Sequence, residues 1–137
     1  MRRRITVSFA TAITMLALLA AVAVAGNAHF VGTPTLNSST GEASGKVAGL
    51  GNITQIHVEV TAEAQCINPG SKHPKAANKE SVSGGGDFPV QNGKANFSVT
   101  LDAPVFTPDC SPPMTVQFVD LLLTVTDADG NVLLTYP

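Results

Sequence analysis

The chain has 137 residues, of which 44% are hydrophobic, 13% charged and 5% aromatic, with two Cys, no Trp and a formal net charge of −2. That length holds one domain of ordinary size, about 100–200 residues. A charged fraction well below the usual one in four (about 25%) excludes a coiled coil, a basic nucleic-acid binder and a charged disordered tail.

The N-terminus comes first in chain order. Arg2, Arg3 and Arg4 precede an apolar run from about Ile5 to Ala25, which closes on two small-x-small sites, Ala23-Val24-Ala25 and Gly26-Asn27-Ala28. A basic start, an apolar stretch and a small-residue cleavage site are the parts of an export signal. About 20 apolar residues can also span a bilayer, but tandem cleavage-type sites favour removal. No Cys stands near them to take a lipid anchor. The expected division is a signal peptide at 1–28 and a secreted domain at 29–137, free of the membrane after cleavage. Cleavage removes all three arginines and leaves five lysines (Lys46, Lys72, Lys75, Lys79, Lys94) against ten acids, a net charge of −5. An acidic domain repels phosphate backbones, which excludes nucleic acid as a partner.

The rest of the chain is dominated by period-two patterning. Weak strands fit Phe30–Leu36 and Ala43–Val47. The clearest strand places Ile56, Val58, Val60, Ala62, Ala64 and Cys66 on one face, and His57, Glu59, Thr61, Glu63 and Gln65 on the other. Such alternation is that of a half-buried strand, with Glu59 and Glu63 on its solvated side. A further weak strand fits Ser81–Pro89. Asn92-Gly93 then signals a hairpin turn, and Ala95, Phe97, Val99 and Leu101 alternate with Asn96, Ser98 and Thr100. Another strand runs from about Met114 to Thr126, and its period slips near Asp120-Leu121-Leu122-Leu123, as a β-bulge produces. Asp127-Ala128-Asp129-Gly130-Asn131 turns the chain into Val132–Tyr136. A calcium loop is the rival there, but the acid that an EF-type loop needs at its twelfth position would fall past Pro137.

About seven short strands with frequent turn chemistry predict an all-β, Ig-like antiparallel β-sandwich. In an exported domain the two cysteines, Cys66 and Cys110, pair as a disulfide. Neither belongs to a C-x-x-C, and neither has a His at zinc-type spacing. Up-and-down strand order puts both at one pole. The usual Ig core bridge and its buried Trp are missing, so the Ig likeness is one of architecture.

Two loops flank that expected bridge. Ile67–Ser81 is rich in Pro and Gly and carries Lys72, His73, Lys75, Asn78 and Lys79; Thr107–Pro113 has three prolines. Loops held on a rigid sandwich commonly carry binding, so this locally basic pair is the candidate contact surface. Its partner would be an extracellular or cell-envelope protein or glycan. No G-x-S-x-G, H-E-x-x-H or free Cys nucleophile is present, so no enzyme activity is expected.

The alternative is copper. Cleavage after Ala28 would make His29 the terminal residue, able to chelate through its α-amino group and imidazole. His57 would then complete a set of nitrogens suited to Cu(II). This resembles the N-terminal-histidine copper site of lytic polysaccharide monooxygenases and of periplasmic copper carriers, which are also β-sandwiches. Two other resemblances concern longer stretches. Ala28-His29-Phe30-Val31, Lys46-Val47-Ala48-Gly49-Leu50-Gly51-Asn52, and Cys66 followed by Ala76-Ala77-Asn78-Lys79 resemble small exported actinobacterial proteins of unassigned function. Gly45-Lys46-Val47-Ala48-Gly49 is similar to the early strands of neocarzinostatin-type apoproteins, secreted Ig-like sandwiches that hold a small chromophore.

Overall fold

A computed structural model of the chain describes residues 26–70 and 78–137. The signal segment before Gly26, and Lys72, His73 and Lys75, lie outside the described residues. Among the described residues every regular element is a strand: β1 (His29–Phe30), β2 (Thr35–Asn37), β3 (Glu42–Ala48), β4 (Gln55–Ile67), β5 (Lys79–Pro89), β6 (Ala95–Thr100), β7 (Thr115–Asp127) and β8 (Val132–Tyr136).

All pairings are antiparallel and form two sheets. In the first, β3 pairs with β1 and β2 and also with β6; the second has the order β5-β4-β7-β8. Alternation along the strands sends every second residue into the space between the sheets. Ala43, Val47, Phe97 and Val99 of the first sheet are buried with Ile56, Val58, Val60, Leu123 and Val125 of the second. Each fully buried aliphatic side chain of this kind contributes about 1.5–3 kcal/mol. Phe88, Phe97, Phe30 and Tyr136 extend the core in an edge-to-face row, with centroids 6.0–6.4 Å apart.

The sandwich has eight strands where the sequence suggests about seven. The expected strand Phe30–Leu36 is interrupted: Gly32 takes φ 74°, and Pro34, lacking an N–H, cannot continue a ladder. β1 and β2 therefore pair separately with the two ends of β3. The slip in β7 is a bulge. Thr61 pairs with Leu122 and Glu63 with Val119, so Asp120 and Leu121 both face Ala62. Asp120 takes φ 54° to make it.

β1 and β2 run in the same direction and the strands from β2 onward alternate up and down, but consecutive strands are often not neighbours. At the lower pole β3 passes to β4, and β5 to β6, from one sheet to the other. These crossings are bonded to each other, Leu50 N–H donating to the Gly93 carbonyl at 3.0 Å, and Val90 N–H to Thr54 at 2.9 Å. The Asn92-Gly93 hairpin turn forms as a tight turn closed by an isolated bridge, but the strands on either side, β5 and β6, belong to different sheets. Gln91 and Lys94 exchange backbone hydrogen bonds across the turn, and both central residues have positive φ, 52° and 71°, the requirement of a type I′ turn. At the upper pole β6 returns to β7 through residues 101–114, which first cover the outer edge of β5. Asp102 N–H donates to the Ser83 carbonyl at 2.9 Å, and Val105 N–H donates to the Glu80 carboxylate. Gly84 permits this closure, because a Cβ there would lie 2.1 Å from the Thr100 carbonyl oxygen.

Candidate functional site

The upper pole gathers the residues expected to make contacts. Cys66, the last inward residue of β4, is bonded to Cys110 with Cα atoms 5.7 Å apart, across a sequence separation of 44. The bridge joins the end of a central strand to the middle of the long return segment. Buried Phe106 pins that segment on one side, and Met114, whose Sδ is 3.7 Å from Cys66 Sγ, approaches on the other. Between these anchors Thr107, Pro108, Asp109, Ser111, Pro112 and Pro113 are exposed, as are Asn68, Pro69 and Gly70 just past β4. Val105, 76% exposed, is the most exposed large apolar side chain among the described residues.

Two of the expected loop residues can be placed. Asn78 precedes β5, whereas Lys79 is the first residue of β5, paired in register with Gln65. That corrects its assignment to a loop. Its ammonium lies 3.3 Å from Glu63 Oε1, so it adds no unpaired cation. Glu63 is held below the usual glutamate range by the Gln65 side-chain amide, which donates at 2.6 Å, and then by Lys79. The other charged side chains described nearby are acids, Glu80, Asp102 and Asp109. The basic character expected of this pole therefore rests on Lys72, His73 and Lys75.

The copper pair is not brought together. His29 and His57 both lie toward the lower pole, as strand direction suggests, but His29 is on β1 of the first sheet and His57 on β4 of the second. Each alternates with an inward residue, Phe30 or Ile56, so the two imidazoles face outward on opposite sides of the sandwich. Stacked sheets are about 10 Å apart, and outward side chains lie further apart still. His57 is also engaged locally, its Nδ1 2.7 Å from Asp87 Oδ1, whereas His29 Nδ1 meets, at 2.7 Å, the carbonyl of Asn27, a residue that cleavage after Ala28 would remove. Gly85 leaves room for the His57 ring, since a Cβ there would come 3.2 Å from Nε2. Among the described residues no three His, Cys, Asp or Glu side chains converge to hold a metal ion.

The Asp127–Asn131 segment is a turn. Asp127 Oδ1 accepts from the backbone N–H of Asp129 and of Asn131, at 3.0 and 2.8 Å, and Oδ2 accepts from Asn131 Nδ2 at 2.8 Å. Those bonds, the Asn131 amide foremost, hold the carboxyl below the usual aspartate range. Both oxygens already serve the turn.

One further feature was not foreseen. At the lower pole, where the outer face of the first sheet meets the end of β5, Lys46, Gln91, Asn92, Lys94 and Asn96 line a concavity of about 460 Å³ with Pro89 and Ala95. The pairing of Lys46 with Asn96 across β3 and β6 assembles it. Outward alternation in each strand was legible, but the pairing of β3 with β6 was not.

Comparison with known proteins yields no match to a family model, a curated sequence or a solved structure.

Proposed function

We propose that the protein is a secreted, non-enzymatic binding module with an Ig-like sandwich, which engages an extracellular or cell-envelope partner through the loops flanking Cys66–Cys110. The observation that carries this reading is the upper pole itself. An exposed, Pro-rich return segment is tethered there to the two-sheet body by a disulfide, and residues 68–70 past β4 are exposed. Ordering such loops in advance lowers the entropic cost of binding. The disulfide also fits an oxidising, extracellular setting. The Ig-like description is supported by strand order: β1/β2-β3-β6 facing β5-β4-β7-β8 corresponds to the A-B-E and C-F-G strands of Ig sandwiches, with the fourth strand moved to the second sheet.

The test uses secreted protein and washed cell envelopes from the producing cells. The protein should co-sediment with the envelopes, and Lys72→Ala/His73→Ala/Lys75→Ala should return it to the supernatant. Co-sedimentation that the triple variant leaves unchanged would remove these loops from the contact. A wild-type protein that stays in the supernatant would contradict the envelope reading.

A further inference from the structure

The concavity where the outer face of the first sheet meets the end of β5 differs in kind from the rest of this acidic surface. Three lysines fall among the described residues. Lys79 is paired with Glu63, whereas Lys46 and Lys94 take part in no ion pair among the described residues. Both of these lysines line the same depression, and no carboxylate lines it with them. The acid sharing the outward face of β3 is Glu42, four residues from Lys46 and thus about 13 Å along the strand. Glu42 is within reach of Ser98 Oγ, at 3.4 Å.

The backbone fixes where these groups stand. Lys46 and Asn96 are cross-strand partners, and Lys94 shares a face with Asn96 at a two-residue step. Lys94 also closes the Asn92-Gly93 turn through its reciprocal bonds to Gln91, at 2.8 and 3.0 Å. The floor is therefore a locked two-residue turn and two paired strands rather than a long loop. The other polar side chains at the rim are the carboxamides of Gln91, Asn92 and Asn96. A carboxamide both donates and accepts hydrogen bonds, which suits hydroxyl groups, and an ammonium suits an acid group. No aromatic ring lines the depression, so stacking plays no part.

We propose that this concavity binds an anionic, polyhydroxylated chain: Lys46 and Lys94 take its acid groups, and Gln91, Asn92 and Asn96 take its hydroxyls. The shared chemistry is an acid group on a hydroxyl-rich backbone, whether the acid is a carboxylate or a phosphate. The site lies at the pole opposite Cys66–Cys110 and does not depend on the loops there. Contacts of this exposed, charged type weaken with salt.

The test is an NMR titration of the ¹⁵N-labelled secreted protein in low salt with three probes: trigalacturonate, a glycerol phosphate trimer and neutral galactotriose. At least one charged probe should shift the amides of Lys46, Gln91, Asn92, Lys94 and Asn96, and galactotriose should bind more weakly. Whichever charged probe binds more tightly identifies the acid group. Lys46→Glu/Lys94→Glu and the milder Lys46→Gln/Lys94→Gln should each weaken binding about tenfold or more, as loss of two charge-assisted contacts implies, and leave the remaining amide spectrum in place. Lys72→Ala/His73→Ala/Lys75→Ala should bind the probe as the parent does. Failure of both charged probes to bind at millimolar concentration would overturn the proposal. So would shifts centred elsewhere, equal binding of the neutral probe, or unchanged binding by the glutamine variant.

Discussion

The two poles of the sandwich solve the same problem by different means. At the lower pole, short turns with local codes reverse the chain or carry it between sheets. Asn92-Gly93 supplies two positive φ angles, Asp127 caps its own turn with both carboxylate oxygens, and the crossings at Leu50 and Gly93 bond to each other. At the upper pole the β2–β3 turn is also short, whereas the β4–β5 and β6–β7 links are long, and a covalent bond between Cys66 and Cys110 joins those two. Many small local terms make the lower pole rigid and insensitive to any one of them. The cross-link, buried Phe106 and the edge bonds to β5 give the exposed return segment of the upper pole a fixed root. The first arrangement suits a preformed hydroxyl- and acid-binding floor, the second a contact surface that can change without disturbing the fold.

Removing the disulfide has the largest expected effect. In the chain-entropy model a loop of this length is worth about 3–4 kcal/mol, so Cys66→Ala/Cys110→Ala should lower the thermal midpoint by roughly 15–20 °C in calorimetry. A loss of only a few degrees would mean that Phe106 and the edge bonds to β5 hold the upper pole without it. Gly84→Ala comes next. Its Cβ would enter the Thr100 carbonyl, so the contact between β5 and the end of β6 must open at a cost of roughly 2–3 kcal/mol, as overpacked interiors do. Urea denaturation measures this directly. Gly93→Ala forces a side chain into positive φ and should cost about 1–2 kcal/mol. Its amide shifts should reach Lys94 and Asn96, because the turn sets their position.

The smallest effect is a titration. Asp127 is held below the ordinary aspartate value by Asn131. Its folded-state value lies below the unfolded one, so the carboxylate's stabilising contribution is complete above the unfolded value and is lost as pH falls through the folded one. Carboxyl NMR should show Asp127 titrating below the ordinary aspartate value, and Asn131→Ala should return it toward that value. An unmoved midpoint would assign the shift to the backbone donors instead.

Sequence carries the local half of this structure well. Alternation along Ile56–Cys66 marks β4, the slip near Asp120 marks the bulge, and Asn92-Gly93 and Asp127–Asn131 mark the turns, because each is written in neighbouring residues. Sheet membership is non-local. The pole shared by His29 and His57 followed from strand direction, but their separation depends on β3 and β4 lying in different sheets. For the same reason the Lys46–Asn96 pairing, and the bond between His57 and Asp87 thirty residues apart, had no local signature. Lys79 looked like loop because Pro and Gly precede it. Its register opposite Gln65, where its ammonium meets Glu63, makes it strand.

The independence of the two poles is tested most directly by an amide shift map of Cys66→Ala/Cys110→Ala against the parent protein, recorded at low temperature. Changes should be confined to the upper pole: the end of β4, residues 101–114 and the start of β7. Lys46, Asn92, Lys94, Asn96 and Asp127–Asn131 should superimpose on the parent spectrum. Shifts that reach those lower turns would contradict that independence, and would mean that the disulfide organises the whole sandwich rather than one end of it.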